Sequence, residues 1–457
     1  MTVTFTEHGR HADDARSADR RTSRALRRDT LRDAAAARPD GGANPRLHPE
    51  EVPPHRERTR RRLADLARRI DLPAIADRLG TPLLVVDAEQ ATAQLLDLRR
   101  NLPGAEIHVA AGALPDPALI RAVDAFGASF GVASRRELDA LEHEGVAVGR
   151  CVYTTPAAVA ELTSAYLRGI RMFVVDRPGD VDAFAGLPDD ARVLVRLSLP
   201  DPDADAGHPS FGVSSEAAPD LVGQCLRAGR SVAGFTIHVD ARTTGADPWR
   251  RAIRRALKLM HALEGRFGIR FDTLDIGGGF LVADDPTVPE PAVIVRGIRD
   301  ALAAAPSRYR VIVEPGRFVA DPAATLVTRV LDTTTRPDGR WLHVDDGVAG
   351  AFADSPALDA LVFAAAELGG SRPPSDEDTE RVFRRLRERS WEPVTVAGPT
   401  GEPADVIARA LRLPELRAGD LLVIPMAGAR TWGPTAVDGL EPTSVHVFSG
   451  SSPRISA

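Results

Sequence analysis

The chain has 457 residues, 43% of them hydrophobic, with a formal net charge of −6 and a pI near 6.0. That length supports a large core and predicts two domains, while the mildly acidic balance gives no basis for nucleic-acid binding. Two cysteines, Cys151 and Cys225, supply neither a disulfide framework nor a metal cluster, so no metal is expected. There is no signal-peptide core and no apolar run of membrane-spanning length, which points to the cytoplasm and away from a membrane. Among 58 Lys and Arg residues, one alone is a lysine, Lys258. A GC-rich genome produces that bias without functional cause, yet composition seldom removes a lysine that chemistry requires.

Residues 1–60 are rich in Arg, Asp and Ala and hold no lasting apolar period, which predicts a disordered N-terminal tail; the mixed charge also suits a docking arm. Residues 61–81 predict a lead-in helix, with Leu63, Leu66, Ile70 and Ile75 at helical spacing. Gly80-Thr81-Pro82 then turns the chain into an apolar strand ending at Asp87, the expected start of a unit over residues 82–321. Within that unit eight short apolar runs alternate with helical patterns. They are Glu106 to Ala111, Ala128 to Ala133, Arg150 to Tyr153, Met172 to Val175, Val193 to Leu197, Gly234 to His238, Thr273 to Ile276 and Val311 to Glu314. Strand and helix in strict alternation predict an α/β fold, a parallel (β/α)8 barrel whose functional residues lie at the carboxyl ends of the strands. Lys258 falls in a helix from Pro248 to about Phe267, on the polar face with Arg251, Arg254 and Arg255. Residues 322–457 change to strands and turns and predict a C-terminal β-domain. Its strand candidates are Thr325 to Leu331, Trp341 to Val344, Glu392 to Ala397 and Asp420 to Pro425, with a loop and surface helix inserted at 365–389.

Three expected strand ends carry chemistry. Leu274-Asp275-Ile276 runs into Gly277-Gly278-Gly279, a turn whose N–H groups suit an anion. His238 ends the strand before it, and Glu314-Pro315-Gly316-Arg317 ends the strand after it. A stacking ring, an anion cradle and an acid with an arginine together suggest a cofactor pocket. Each also has a purely structural reading: a tight bend, a satisfied strand-end histidine, and a Glu314–Arg317 pair.

The order and spacing of these pieces resemble the fold-type III, pyridoxal-phosphate-dependent amino-acid decarboxylases. These are the diaminopimelate, ornithine and arginine decarboxylases, built on an alanine-racemase-like barrel with a β-domain. The likeness runs from the Gly80-Thr81-Pro82 turn to about Arg430. It implies pyridoxal phosphate (PLP) as cofactor, with His238 stacking on the ring, Glu314 at the ring nitrogen, and Gly277, Gly278, Gly279, Arg317 and Arg430 around the site. It also implies a homodimer with sites at the interface and an amino-acid-like ligand, with Glu402 facing a distal amine; Asp240, an acid where the family has glycine, adds negative charge near the phosphate and is a second substrate-binding candidate.

The departures from the family are as informative. The strand carrying the Schiff-base lysine, "yAvKAN-P" in the family, corresponds to His108-Val109-Ala110-Ala111-Gly112-Ala113-Leu114-Pro115, which puts Gly112 at the lysine. "GPxCESxD" corresponds to Gly398-Pro399-Thr400-Gly401-Glu402-Pro403-Ala404-Asp405, with Gly401 at the cysteine. "HSKFG" reads His208-Pro209-Ser210-Phe211-Gly212, "HxGSQ" reads His238-Val239-Asp240-Ala241-Arg242, and "GAY" reads Gly428-Ala429-Arg430. With no intact catalytic pair, three functions remain. One is a non-standard or inactive decarboxylase homologue that keeps a ligand pocket and binds PLP noncovalently, or a different phosphorylated or amino-acid ligand. Another is an enzyme with lysine-independent chemistry on an amino acid or its PLP adduct. The third is a regulatory or binding subunit that forms a heterodimer with an active homologue.

Overall fold

The computed structural model describes Leu63, Leu66 and residues 69–114, 116–184, 186–198, 211–239, 245–280, 291–348, 350, 352, 363–364, 391–428, 444–449 and 452–453. The tail 1–60, Asp240, Arg430 and the insertion 365–389 lie outside the described residues.

The eight expected strands close into one barrel: β2 (Ala105–Ala110), β3 (Ser129–Val132), β4 (Val152–Tyr153), β5 (Met172–Val175), β6 (Arg192–Leu197), β7 (Ser231–Ile237), β8 (Thr273–Asp275) and β9 (Arg310–Val313). Neighbours are parallel throughout, and β9 returns to β2 with Val311 opposite Ala105. Strands β4, β5, β6, β7 and β9 divide their apolar residues between two environments. Phe173, Val175, Val193 and Phe235 belong to the core packed with the surrounding helices. Val152, Met172, Val174, Leu194, Ala233 and Ile312 form a separate cluster. Two ion pairs sit at the strand starts, Arg310 with Glu106 at 2.7 Å and Arg192 with Asp272 at 2.7 Å. Arg310 bonds hold the Glu106 carboxyl down at about 2. The helix containing Lys258 spans Asp247–Phe267, buries Trp249, Ile253, Met260 and Leu263, and leaves Lys258 exposed.

A nine-stranded mixed sheet accompanies the barrel. It holds β1 (Leu83–Asp87), β10 (Ala324–Arg336), β11 (Gly339–Val344), β12 (Phe363–Ala364), β13 (Trp391–Ala397), β14 (Val406–Pro414), β15 (Leu421–Pro425), β16 (Ser444–Ser449) and β17 (Ser452–Pro453). The first strand, grouped above with residues 82–321, therefore belongs to this sheet. It pairs antiparallel with β10 and parallel with β16. The reason is two-sided burial: Leu84 and Val86 join the main core, while Leu83 and Val85 join a second cluster with Leu63, Leu66, Ile70, Leu72 and Ile75. The lead-in helix is also interrupted. A helix starts afresh at Leu72–Leu79, with Asp71 accepting the Ala74 N–H and Pro73 in the first turn, where its missing N–H costs nothing. Strands β12, β14, β16 and β17 were not expected from the sequence.

Candidate active site

The barrel's carboxyl ends gather most of the expected residues. His238 follows β7, Gly277 to Gly279 follow β8, and Glu314 follows β9. They touch: a Cβ on Gly278 would lie 3.4 Å from His238 Cε1 and 2.8 Å from the Glu314 carbonyl oxygen. The glycine run is already demanded by backbone packing. Gly277 and Gly279 have φ of +71° and +89°, and a Cβ on either would sit 2.1 Å from the carbonyl of Ile237 or Val239. Gly277→Ala is expected to cost about 2–3 kcal/mol in a urea melt, because a left-handed residue and a blocked Cβ coincide there.

Glu314 is where structural necessity stops. Its Oε1 is enclosed and has no hydrogen-bond partner among the described residues. Arg317, at the start of a short helix Arg317–Ala320, is exposed and does not serve that oxygen. Burial, and then the neighbouring Asp275 carboxylate, push the Glu314 carboxyl well above the usual range, with Arg196 partly offsetting them. Burial likewise raises Asp275 to about 6, against bonds from the Gly277 N–H and the Thr236 hydroxyl, both 2.8 Å, and the fields of His108 and Arg196. A buried acid and a half-buried neighbour thus bias the site towards holding a proton.

Gly112 lies in a one-turn 3₁₀ segment, Ala111–Ala113, at the end of β2. A Cβ there would be 3.1 Å from Glu137 Oε1. Gly401 and Glu402 are exposed on the turn between β13 and β14, within the other sheet. No hydrogen bond or ion pair joins them to the barrel cluster among the described residues. Their turn is pinned by Asp405, whose carboxylate accepts from Val348 N at 2.8 Å, Thr400 N at 3.0 Å and Thr400 Oγ1 at 2.6 Å.

Five neighbours of the site escaped the sequence reading: His108, Gly131, Glu137, Arg196 and Asp275. Charged residues inside apolar strands signalled Arg196 and Asp275. Glu137, on the polar side of a helix, carried no such signal. Among the described residues no His, Cys, Asp or Glu group is arranged to hold a metal, and no helix is long and apolar enough to cross a membrane.

Residues 88–321 match the family model for the pyridoxal-dependent decarboxylase, pyridoxal binding domain. The chain belongs to the pyridoxal-dependent decarboxylase family. It is 28% identical to a lysine/ornithine decarboxylase of Selenomonas ruminantium, over 79% of this chain and 88% of that one. It is 30% identical to a diaminopimelate decarboxylase of Deinococcus radiodurans, over 78% of this chain and 86% of that one. The crystal structure of a Vibrio vulnificus lysine/ornithine decarboxylase complexed with cadaverine superposes with a TM-score of 0.71 at 29% identity, covering 83% of this chain and 98% of that one. Like that structure, this decarboxylase-family chain pairs a (β/α)8 barrel with a separate mixed sheet.

The residues present fit PLP. A carboxyl with an enclosed, unsatisfied oxygen and a raised pKa matches a basic ring nitrogen, and an imidazole stands beside the glycine turn.

Proposed function

We propose that this protein is a PLP-binding decarboxylase homologue that holds the cofactor noncovalently and has lost standard decarboxylase turnover, with Gly112 standing where the family's lysine belongs. The observation that carries the cofactor reading is Glu314 Oε1. An unsatisfied buried acceptor costs about 1–3 kcal/mol, and such a cost concentrates at sites that complete themselves with a ligand. Support for the missing covalent link comes from the lysine count. Lys258 is the chain's one lysine, and it lies exposed on the helix Asp247–Phe267.

Each residue then has a stated task. Glu314 holds a proton at the ring nitrogen, and pairing with a cation relieves the desolvation that raises its pKa. His238 stacks on the ring, while the Gly277 to Gly279 turn, Arg317 and Arg430 serve the phosphate side. Arg196 balances the charge of Glu314 and Asp275. PLP, when bound, supplies an electron sink for the α-carbon of an amino group. Gly112 offers no amine to anchor the cofactor or exchange with product, and Gly401 offers no thiol to move a proton. The ligand is an amino acid or diamine, in keeping with the cadaverine of the Vibrio relative, with Glu402 at its distal amine and Asp240 as a second substrate-binding acid. Since Gly401 and Glu402 lie on the second sheet, we assign them to the site of a second protomer in a homodimer.

Titration of the purified chain with PLP, followed by absorbance and tryptophan fluorescence, tests this reading. Saturable binding is expected, with no PLP fixed to the protein after borohydride treatment and mass spectrometry. Cofactor fixed at Lys258, or turnover of a basic amino acid at a lysine-bearing relative's rate, overturns it.

A further inference from the structure

Gly112 and Gly131 are neighbours at the barrel mouth. Gly112 sits in the turn that ends β2, and Gly131 pairs with Ala110 of that strand. Neither has a side chain, and a carboxylate overlooks each. Glu137 Oε1 is 3.1 Å from the position of a Gly112 Cβ, and Glu314 Oε1 is 2.9 Å from that of a Gly131 Cβ.

The two carboxyls are fixed in different ways. Glu137 is locked in the first turn of the helix Arg135–His143: its backbone N–H donates to Ser134 Oγ at 3.3 Å, and its Oε2 accepts the Ala133 N–H at 2.7 Å. That leaves Oε1 turned towards Gly112. No arginine or lysine pairs with Glu137 among the described residues, although Arg135 on the same helix reaches Asp139 at 4.0 Å. Glu314 is half-buried as a residue, but its Oε1 is enclosed and has no partner among the described residues. Glu137 is thus preorganised with Oε1 over Gly112, while Glu314 Oε1 overlooks Gly131 on the adjoining strand.

We propose that the gap over Gly112 is a binding subsite for the primary ammonium group of a ligand, with Glu137 Oε1 as its counter-ion. This rests on the reading that Gly112 leaves open the place of a lysine side chain. A primary ammonium carries three donors on a compact head, so it can meet Glu137 Oε1 and still reach neighbouring acceptors. A quaternary ammonium has the charge and no donor. The ligand's own amine therefore sits where a covalently tethered amine is missing.

Calorimetric titration of the full cofactor-free chain with n-propylammonium and, separately, tetramethylammonium tests the subsite. Saturable binding of n-propylammonium is expected, with none for tetramethylammonium. Glu137→Gln keeps an oxygen for the Ala133 N–H and is expected to weaken n-propylammonium by about tenfold or more. Gly112→Met fills the gap with Glu137 intact and is expected to abolish binding. No n-propylammonium binding by the wild-type chain, or binding that both variants leave unchanged, overturns the subsite. A PLP titration of the same wild-type sample separates the two readings. PLP binding without n-propylammonium binding overturns the subsite and leaves the cofactor reading standing. n-Propylammonium binding without PLP binding supports the subsite and overturns the cofactor reading.

Discussion

Gly112→Lys is expected to make the protein hold PLP covalently. The position tolerates a side chain: its φ lies outside the left-handed region, and the nearest obstacle is the carboxylate end of Glu137 at 3.1 Å, which need give by only a few tenths of an ångström. That glutamate is also a ready counter-ion for the new ammonium. Borohydride treatment after PLP loading should fix the cofactor at residue 112, identified by mass spectrometry of the peptide, and apparent PLP affinity should rise about a hundredfold, equivalent to ~2.7 kcal/mol. Cofactor retention through gel filtration gives an independent reading. A Gly112→Lys protein that folds, binds PLP as weakly as the wild type and carries no label would place the missing lysine elsewhere.

Glu314→Gln is expected to stabilise the cofactor-free protein and to cripple its PLP binding. The native Glu314 and Asp275 carboxyls titrate above their unfolded values, Asp275 at about 6 and Glu314 well above the usual range. Below about pH 4 both states are protonated and these groups cost nothing. As pH rises past the unfolded values, the unfolded chain releases protons that the native chain keeps, so stability falls until the native values are passed. Glutamine removes that penalty at residue 314 and relieves the charge repulsion on Asp275. Urea melts should therefore show a gain of about 1–3 kcal/mol at pH 8 that vanishes near pH 4. PLP titration should show binding weakened about tenfold or more, because an amide cannot hold the ring proton. A gain equal at both pH values would mean that the native Glu314 carboxyl titrates as it does in the unfolded chain.

The order of the eight barrel strands was legible because each is a short, doubly buried apolar run, and a parallel strand buried on both faces must be apolar. His238, the glycine turn and Glu314 were legible because they end three such runs. What escaped were contacts between distant segments. Leu83–Asp87 looks like any barrel strand, and its place beside β10 and β16 depends on partners about 240 and 360 residues away in sequence. Strand β14 was missed because Arg409 and Arg412 break its apolar pattern at the rim of a sheet.

Sequence by itself determined the fold, the absence of any lysine but Lys258, and the chemical types at the strand ends, because strand periodicity and residue identity are local properties. Tertiary structure alone decided that the glycine turn is demanded by the carbonyls of Ile237 and Val239, that Glu314 Oε1 is left without a partner, and that Glu137 overlooks Gly112. Those facts depend on burial and on distances between different βα units. A carboxyl's proton affinity and an open space both arise only when the barrel closes.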